Sequence, residues 1–86
     1  MRRIVFDGSA LEDLQYWIKN EPKFARKIVE LLEETIKSPF SGTGKPEPLK
    51  HDLKGFWSRR ISQEHRLVYK VTDEFVIVAS CRFHYS

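Results

Sequence analysis

Apolar residues recur at helical spacing through the first half of the chain and alternate with polar ones through much of the second. Ahead of the helices, Arg3 to Phe6 reads as a short strand. Ser9 and Glu12 have capping-box spacing, so a helix is expected to begin at Ser9, with Leu11, Leu14 and Ile18 on one face. Pro22 suits the first turn of a second helix, where a missing N–H costs nothing. Phe24, Ile28, Leu31, Leu32 and Ile36 supply that helix's apolar stripe. Glu33 and Lys37 add a surface pair of the favoured polarity, and Pro39 stops the helix.

Ser38 to Pro48 is dense in breakers, with Gly42, Gly44, Pro46 and Pro48. It is too short and too restricted for a flexible linker and is expected as a semi-rigid arm over the sheet. Three strands are then predicted near 55–61, 65–71 and 75–83, with turns at Ser62-Gln63-Glu64 and Thr72-Asp73-Glu74. If Ile61 pairs with His65, Arg60 opposes Arg66 and Trp57 opposes Tyr69. A similar loop after Val71 pairs it with Phe75. One face then carries Trp57, Ile61, Leu67, Tyr69, Val71, Phe75, Ile77, Ala79, Cys81 and Phe83, and reads as core. Arg59 falls on that face too and would need to escape at an edge. The other face carries Ser58, Arg60, Arg66, Val68, Lys70, Ser80, Arg82 and His84. The expected fold over residues 1–86 is α+β: order β-α-α-β-β-β, an antiparallel twisted sheet with two helices packed on one face.

Composition adds limits. Hydrophobic residues at 41% and charged residues at 31% suit a globular chain rather than a disordered one. The single cysteine, Cys81, has no partner for an internal disulfide, and its setting predicts a buried structural thiol in a reducing compartment. The longest apolar run, Phe75 to Ala79, is too short to cross a bilayer, and Met1 to Phe6 lacks the apolar stretch of a signal peptide. A cytoplasmic protein without a membrane partner is expected. Charge matters through its distribution: residues 1–44 carry seven Lys/Arg and seven Asp/Glu, whereas residues 45–70 carry seven against three, a local +4. A polyanion could dock there, although a merely solvated basic face has the same composition.

Phosphodiester cleavage in RNA needs a base for the 2′-hydroxyl, an acid for the departing 5′-oxygen and cations for the phosphoryl centre. Glu47 is the one carboxylate embedded in the basic loop, its backbone restricted by Pro46 and Pro48. It is a candidate base, or else a counter-charge for Lys45 and Lys50. Of the three histidines, His84 is best placed for proton transfer, because it should share the open face with the arginines. A C-terminal His-Tyr is also a common structural ending. Arg60 and Arg66 could grip phosphate bidentately or remain solvated strand residues. His51 and His65 read as polar loop and turn residues, and Trp57 and Tyr69 as core. Metal-ligand spacing is missing: there is no Cys pair, no His-x-x-x-His and no calcium-type loop, so neither metal nor cofactor is expected.

Four segments together are more specific than any of these residues alone. Gly44-Lys45-Pro46-Glu47-Pro48-Leu49-Lys50-His51, Gly55-Phe56-Trp57-Ser58-Arg59-Arg60-Ile61, Glu64-His65-Arg66-Leu67-Val68-Tyr69 and Cys81-Arg82-Phe83-His84-Tyr85 closely resemble the YoeB/Txe-type toxins of the RelE superfamily. The resemblance runs over essentially the whole chain and is strongest from Pro39 onward. It implies a microbial-RNase-like fold and a type II toxin–antitoxin toxin that cleaves mRNA in the ribosomal A site, inhibiting translation. Carried over by position, Glu47 looks like the general base, His84 the general acid and Arg66 the phosphate stabiliser, with Tyr85 beside the chemistry. Lys50 and Arg60 match positions that bind or orient the RNA backbone. The implied partners are mRNA on the ribosome, an acidic YefM/Axe-like antitoxin and a second copy in a homodimer. The alternative is a non-catalytic RNA-binding or regulatory module acting through a partner complex.

Overall fold

A computed structural model describes residues 1–83; His84, Tyr85 and Ser86 lie outside the described residues. Strand β1 (Arg3–Phe6) leads into helix α1 (Gly8–Asn20), and helix α2 (Pro22–Lys37) follows with Pro22 in its first turn. A two-residue strand β2 (Glu47–Pro48) and a 3-10 turn (His51–Leu53) precede β3 (Phe56–Arg60), β4 (Arg66–Val71) and β5 (Phe75–Ser80). The expected α+β class and element order hold, with β2 as an addition. Helix α2 buries Ile28, Leu31, Leu32 and Thr35, close to the stripe read from spacing.

Helix α1 differs from expectation. It starts at Gly8 with Asp7 as the preceding residue, and the Ser9 hydroxyl donates to the Ala79 carbonyl at 3.4 Å instead of capping the helix. Its buried residues are Ala10 and Trp17, whereas Leu11 and Ile18 are exposed. Trp17 decides which face turns inward: its ring fills the core and its indole N–H donates to the Cys81 carbonyl at 2.8 Å. Burying a tryptophan whose N–H has a partner outweighs burying leucines alone.

The sheet runs β1-β5-β4-β3-β2. Pairs β3–β4 and β4–β5 are antiparallel as expected and the added β2 joins β3 antiparallel, but β1 joins β5 in parallel, so the sheet is mixed. Alternation along Arg3 to Phe6 could not reveal this, because it is the same for either strand direction. The first hairpin has the expected register, with Arg60 opposite Arg66 and Trp57 opposite Tyr69. In the second, Val71 pairs with Val76 instead of Phe75. The turn is tighter than expected: Thr72 N–H donates to the Phe75 carbonyl, and Phe75 N–H donates to Thr72 Oγ1 at 2.9 Å. A one-residue slip exchanges the faces. Val76 and Val78 are therefore the buried residues, in place of Phe75 and Ile77. The ladder then passes from Tyr69↔Val78 to Val68↔Ser80, leaving Ala79 in a bulge. That bulge restores the expected phase, so Ser80 faces the open side and Cys81 is buried.

Arg59 does not escape at an edge. It is fully buried on the core face, and its Nε donates to Tyr69 Oη at 3.2 Å. The guanidinium donates to the carbonyls of Ser38, Ser41 and Thr43, the last at 3.0 Å, and lies 3.5 Å from Glu34. Tyr69 Oη in turn donates to the Pro39 carbonyl at 2.7 Å. The breaker-rich arm is therefore held by a buried charge whose hydrogen bonds satisfy three loop carbonyls. Gly44 closes the arm onto β3: at φ +86° its carbonyl accepts from Arg60 N–H at 2.7 Å. The arm delivers Glu47 into the sheet.

Candidate active site

Register places the polar residues of the open face in rows. Glu47 opposes Ser58, Ser58 opposes Val68, and Val68 opposes Ser80. Ser58, Val68 and Ser80 are buried, so short side chains floor this face while Glu47 stands exposed at its β2 end. Ser80 Oγ finds no hydrogen-bond partner among the described residues. The next row holds Arg60 and Arg66, directly opposite one another. Side chains so paired have Cβ atoms about 4.5–5.5 Å apart, and diagonal neighbours such as Glu47 and Arg60 stand about 7–8 Å apart.

Like charges in direct opposition destabilise a sheet. Arg60 is exposed, and Arg66 is half-buried with its Nη1 donating to the carbonyls of Ser62, Gln63 and His65 at 3.0, 3.2 and 3.3 Å. Three turn carbonyls thus fix one arm of the Arg66 fork. Among the described residues Arg59 pairs with Glu34, and neither Arg60 nor Arg66 has a carboxylate within ion-pair distance. Lys50 is exposed immediately before the 3-10 turn, whose first residue His51 sits at φ +57°. The opposite row, Phe56 beside Lys70, has the ammonium 5.8 Å from the ring centroid.

The segment after β5 leaves the expected strand path. Cys81 N–H donates to Asp13 Oδ2 at 3.0 Å. Arg82, expected on the open face, instead lies over the Tyr16 ring of α1, its guanidinium carbon 3.5 Å from the centroid. Phe83, expected in the core, is 60% exposed at φ +66°. Its carbonyl accepts from Arg66 N–H at 2.9 Å, and its own N–H donates to His65 Nδ1 at 2.7 Å. Contacts from α1 and the hairpin turn have diverted the chain from a continued strand. The expected positions of His84 and Tyr85 lie outside the described residues; the register puts Glu47, Arg60 and Arg66 on one face, and Lys50 lies farther off, past the Phe56 end of β3.

Local electrostatics act on the groups that support the arm and the core. The Thr43 amide, at 2.7 Å, and then the nearby Arg59 hold the Glu34 carboxyl below its ordinary range. Burial pushes the Tyr69 hydroxyl up, against the pull of Arg59. Burial, with Asp13 nearby, pushes the Cys81 thiol up to about 12, as befits a structural thiol. Sequence reading missed two contributors. Arg59 was visible as a cation on a core face, which signals a buried ion pair as readily as an edge. His65 gave no signal, because its partners Trp17, Phe24 and Phe83 are brought to it by tertiary packing.

A five-stranded mixed sheet with two helices on one face and an arginine-bearing opposite face is a RelE-like toxin architecture. A family model described as a YoeB-like toxin of a bacterial type II toxin–antitoxin system matches residues 6–85. Toxin YoeB of Escherichia coli strain K12 is 49% identical over 83 residues, covering 96% of this chain and 99% of the relative. The solved YoeB dimer from Staphylococcus aureus superposes with a TM-score of 0.92 at 46% identity over 98% of both chains. The YoeB–YefM complex from the same organism gives 0.89 at 45% identity over 99% of both. The chain belongs to the YoeB-like toxin family of bacterial type II toxin–antitoxin systems.

Proposed function

We propose that this toxin is a ribosome-dependent endoribonuclease that cuts mRNA in the A site by acid–base catalysis without a metal, and so inhibits translation. The observation that carries the reading is the opposition of Arg60 and Arg66 beside exposed Glu47. Two guanidinium groups held together, with no carboxylate paired to them among the described residues, are relieved by an anion, and a phosphodiester supplies one. Glu47 takes the proton of the RNA 2′-hydroxyl, and that oxygen attacks the adjacent phosphorus. Arg66, one arm already fixed by turn carbonyls, stabilises the charge on the crowded phosphoryl oxygens. His84 protonates the departing 5′-oxygen, Tyr85 lies beside the chemistry, and Lys50 and Arg60 orient the RNA backbone. The ribosome supplies orientation that so small a surface cannot, an effect that can be worth several kcal/mol. The reading also includes a YefM-type acidic antitoxin covering the same arginines, a homodimer like that solved for the S. aureus relative, and cytoplasmic action. Among the described residues no helix is long and apolar enough to cross a membrane.

The test is the chemistry of the cut ends on ribosomes programmed with defined mRNA. A 2′,3′-cyclic or 3′-phosphate upstream and a 5′-hydroxyl downstream are expected. Deoxyribose at the cleavage position should stop the cut, and chelation that leaves the ribosome intact should not. Glu47→Gln, Arg66→Ala and His84→Gln should each slow cleavage by orders of magnitude while antitoxin binding persists. A downstream 5′-phosphate refutes the mechanism. Binding without any cut points to the non-catalytic RNA-binding or regulatory module.

A further inference from the structure

We propose that His65 is a positioning residue for the reaction, acting by clamping the backbone of Phe83, the residue before the proposed general acid. The inference rests on the reading of His84 as the general acid. His65 is the last residue of the hairpin turn, next to Arg66 in the chain. Its ring is seated on aromatic groups of both helices: the centroid lies 4.6 Å from that of Trp17 at an interplanar angle of 73°, and 6.0 Å from that of Phe24. So fixed, Nδ1 accepts the Phe83 N–H at 2.7 Å, while the neighbouring Arg66 N–H donates to the Phe83 carbonyl at 2.9 Å. Both peptide groups of one residue are thereby held by two consecutive residues, the last of the turn and the first of β4.

The conformation so held is a costly one. Phe83 sits at φ +66°, a left-handed geometry that bulky side chains rarely adopt without outside support. Its own ring is exposed, so burial of that ring is not what holds it. The two preceding residues are secured from α1, by Asp13 and Trp17 on Cys81 and by Tyr16 stacked on Arg82. His65 holds the N–H side of Phe83 and Arg66 its carbonyl side, so the two together keep Phe83 in this conformation. Only the neutral ring with its proton on Nε2 offers a lone pair at Nδ1, so the clamp also specifies a tautomer. Carbonyls of the same turn hold the Arg66 side chain, so the turn and the start of β4 support both the proposed phosphate-binding arginine and Phe83.

Two substitutions separate positioning from packing. His65→Phe keeps an aromatic ring among Trp17 and Phe24 but has no acceptor; His65→Asn loses the ring but puts Oδ1 close to where Nδ1 stood. Thermal stability should fall in the order His, Phe, Asn. Single-turnover cleavage at saturating ribosome–mRNA complex should instead fall in the order His, Asn, Phe. His65→Phe should lose roughly 10–100-fold in the maximal rate, the scale of a misplacement of about 1 Å, with half-saturation changed by less than about threefold. Backbone amide exchange read by NMR should show Phe83 protected in the native toxin and unprotected in His65→Phe. Long-range proton–nitrogen spectra should place the His65 proton on Nε2. Rates that follow the stability order, or an unprotected Phe83 amide in the native toxin, overturn the inference. The amide and tautomer readouts do not depend on catalysis. A native toxin that cuts nothing therefore refutes the proposed function while the clamp is still judged.

Discussion

Replacing Arg59 by methionine keeps most of the side-chain volume and removes the charge that holds the arm. The guanidinium makes four hydrogen bonds, to Tyr69 Oη and to the carbonyls of Ser38, Ser41 and Thr43. Bonds of this charged kind contribute about 1.5–3 kcal/mol each, a gross sum of roughly 6–12 kcal/mol. Against that stands the cost of removing a guanidinium from water, several kcal/mol for a fully buried ion. The three carbonyls freed by the change sit on a surface arm where water reaches them, which limits their penalty. The expected net loss is about 2–4 kcal/mol. In a domain of this size that lowers the melting temperature by roughly 10–30 °C. Urea unfolding of wild type and Arg59→Met measures the loss directly. Amide exchange at Thr43, whose N–H donates to Glu34 at 2.7 Å, reports whether the arm loosens first. A loss below about 1 kcal/mol would show that the buried charge merely offsets its own desolvation and that the arm is held otherwise.

The remaining expectations concern the thiol and the arm's glycine. Cys81 has a folded pKa raised to about 12 from an ordinary 9.0, so its contribution is fully present below pH 9 and is lost as pH rises toward 12. The unfolding free energy from urea titrations should fall across that window, by at most about 1.4 kcal/mol per pH unit for one proton, and less steeply in Cys81→Ala. Below pH 9 a thiol reagent should modify Cys81 only in denaturant; rapid labelling of the folded protein would contradict its burial. Gly44→Ala puts a Cβ 3.2 Å from Arg60 N and O and from Arg59 Cβ, at φ +86°. It should cost about 1–3 kcal/mol in urea unfolding, and a neutral result would mean the arm does not close on β3 through this carbonyl.

The sequence by itself determined the elements whose periodicity is local. The α2 stripe, the stop at Pro39 and the pairing of Arg60 with Arg66 follow from 3.6- and 2-residue spacing and one turn length, and the structure contains them. So does Glu47 on a restrained arm, because prolines on both sides fix its backbone whatever it touches. Tertiary contacts decided the rest. Trp17, through Cys81, set which face of α1 is buried; Thr72 tightened a turn by one residue and moved Phe75 and Ile77 to the open side, until the bulge at Ala79 restored the phase. The parallel direction of β1 has no local signature. Arg59 could be buried because three carbonyls from an arm more than a dozen residues upstream reach it. His65 acquired its place from two helices and a tail that are distant in the chain. Spacing fixes which side chains share an element's face, but a partner's distance and direction depend on how the elements close on one another, and neither is encoded within one element's pattern.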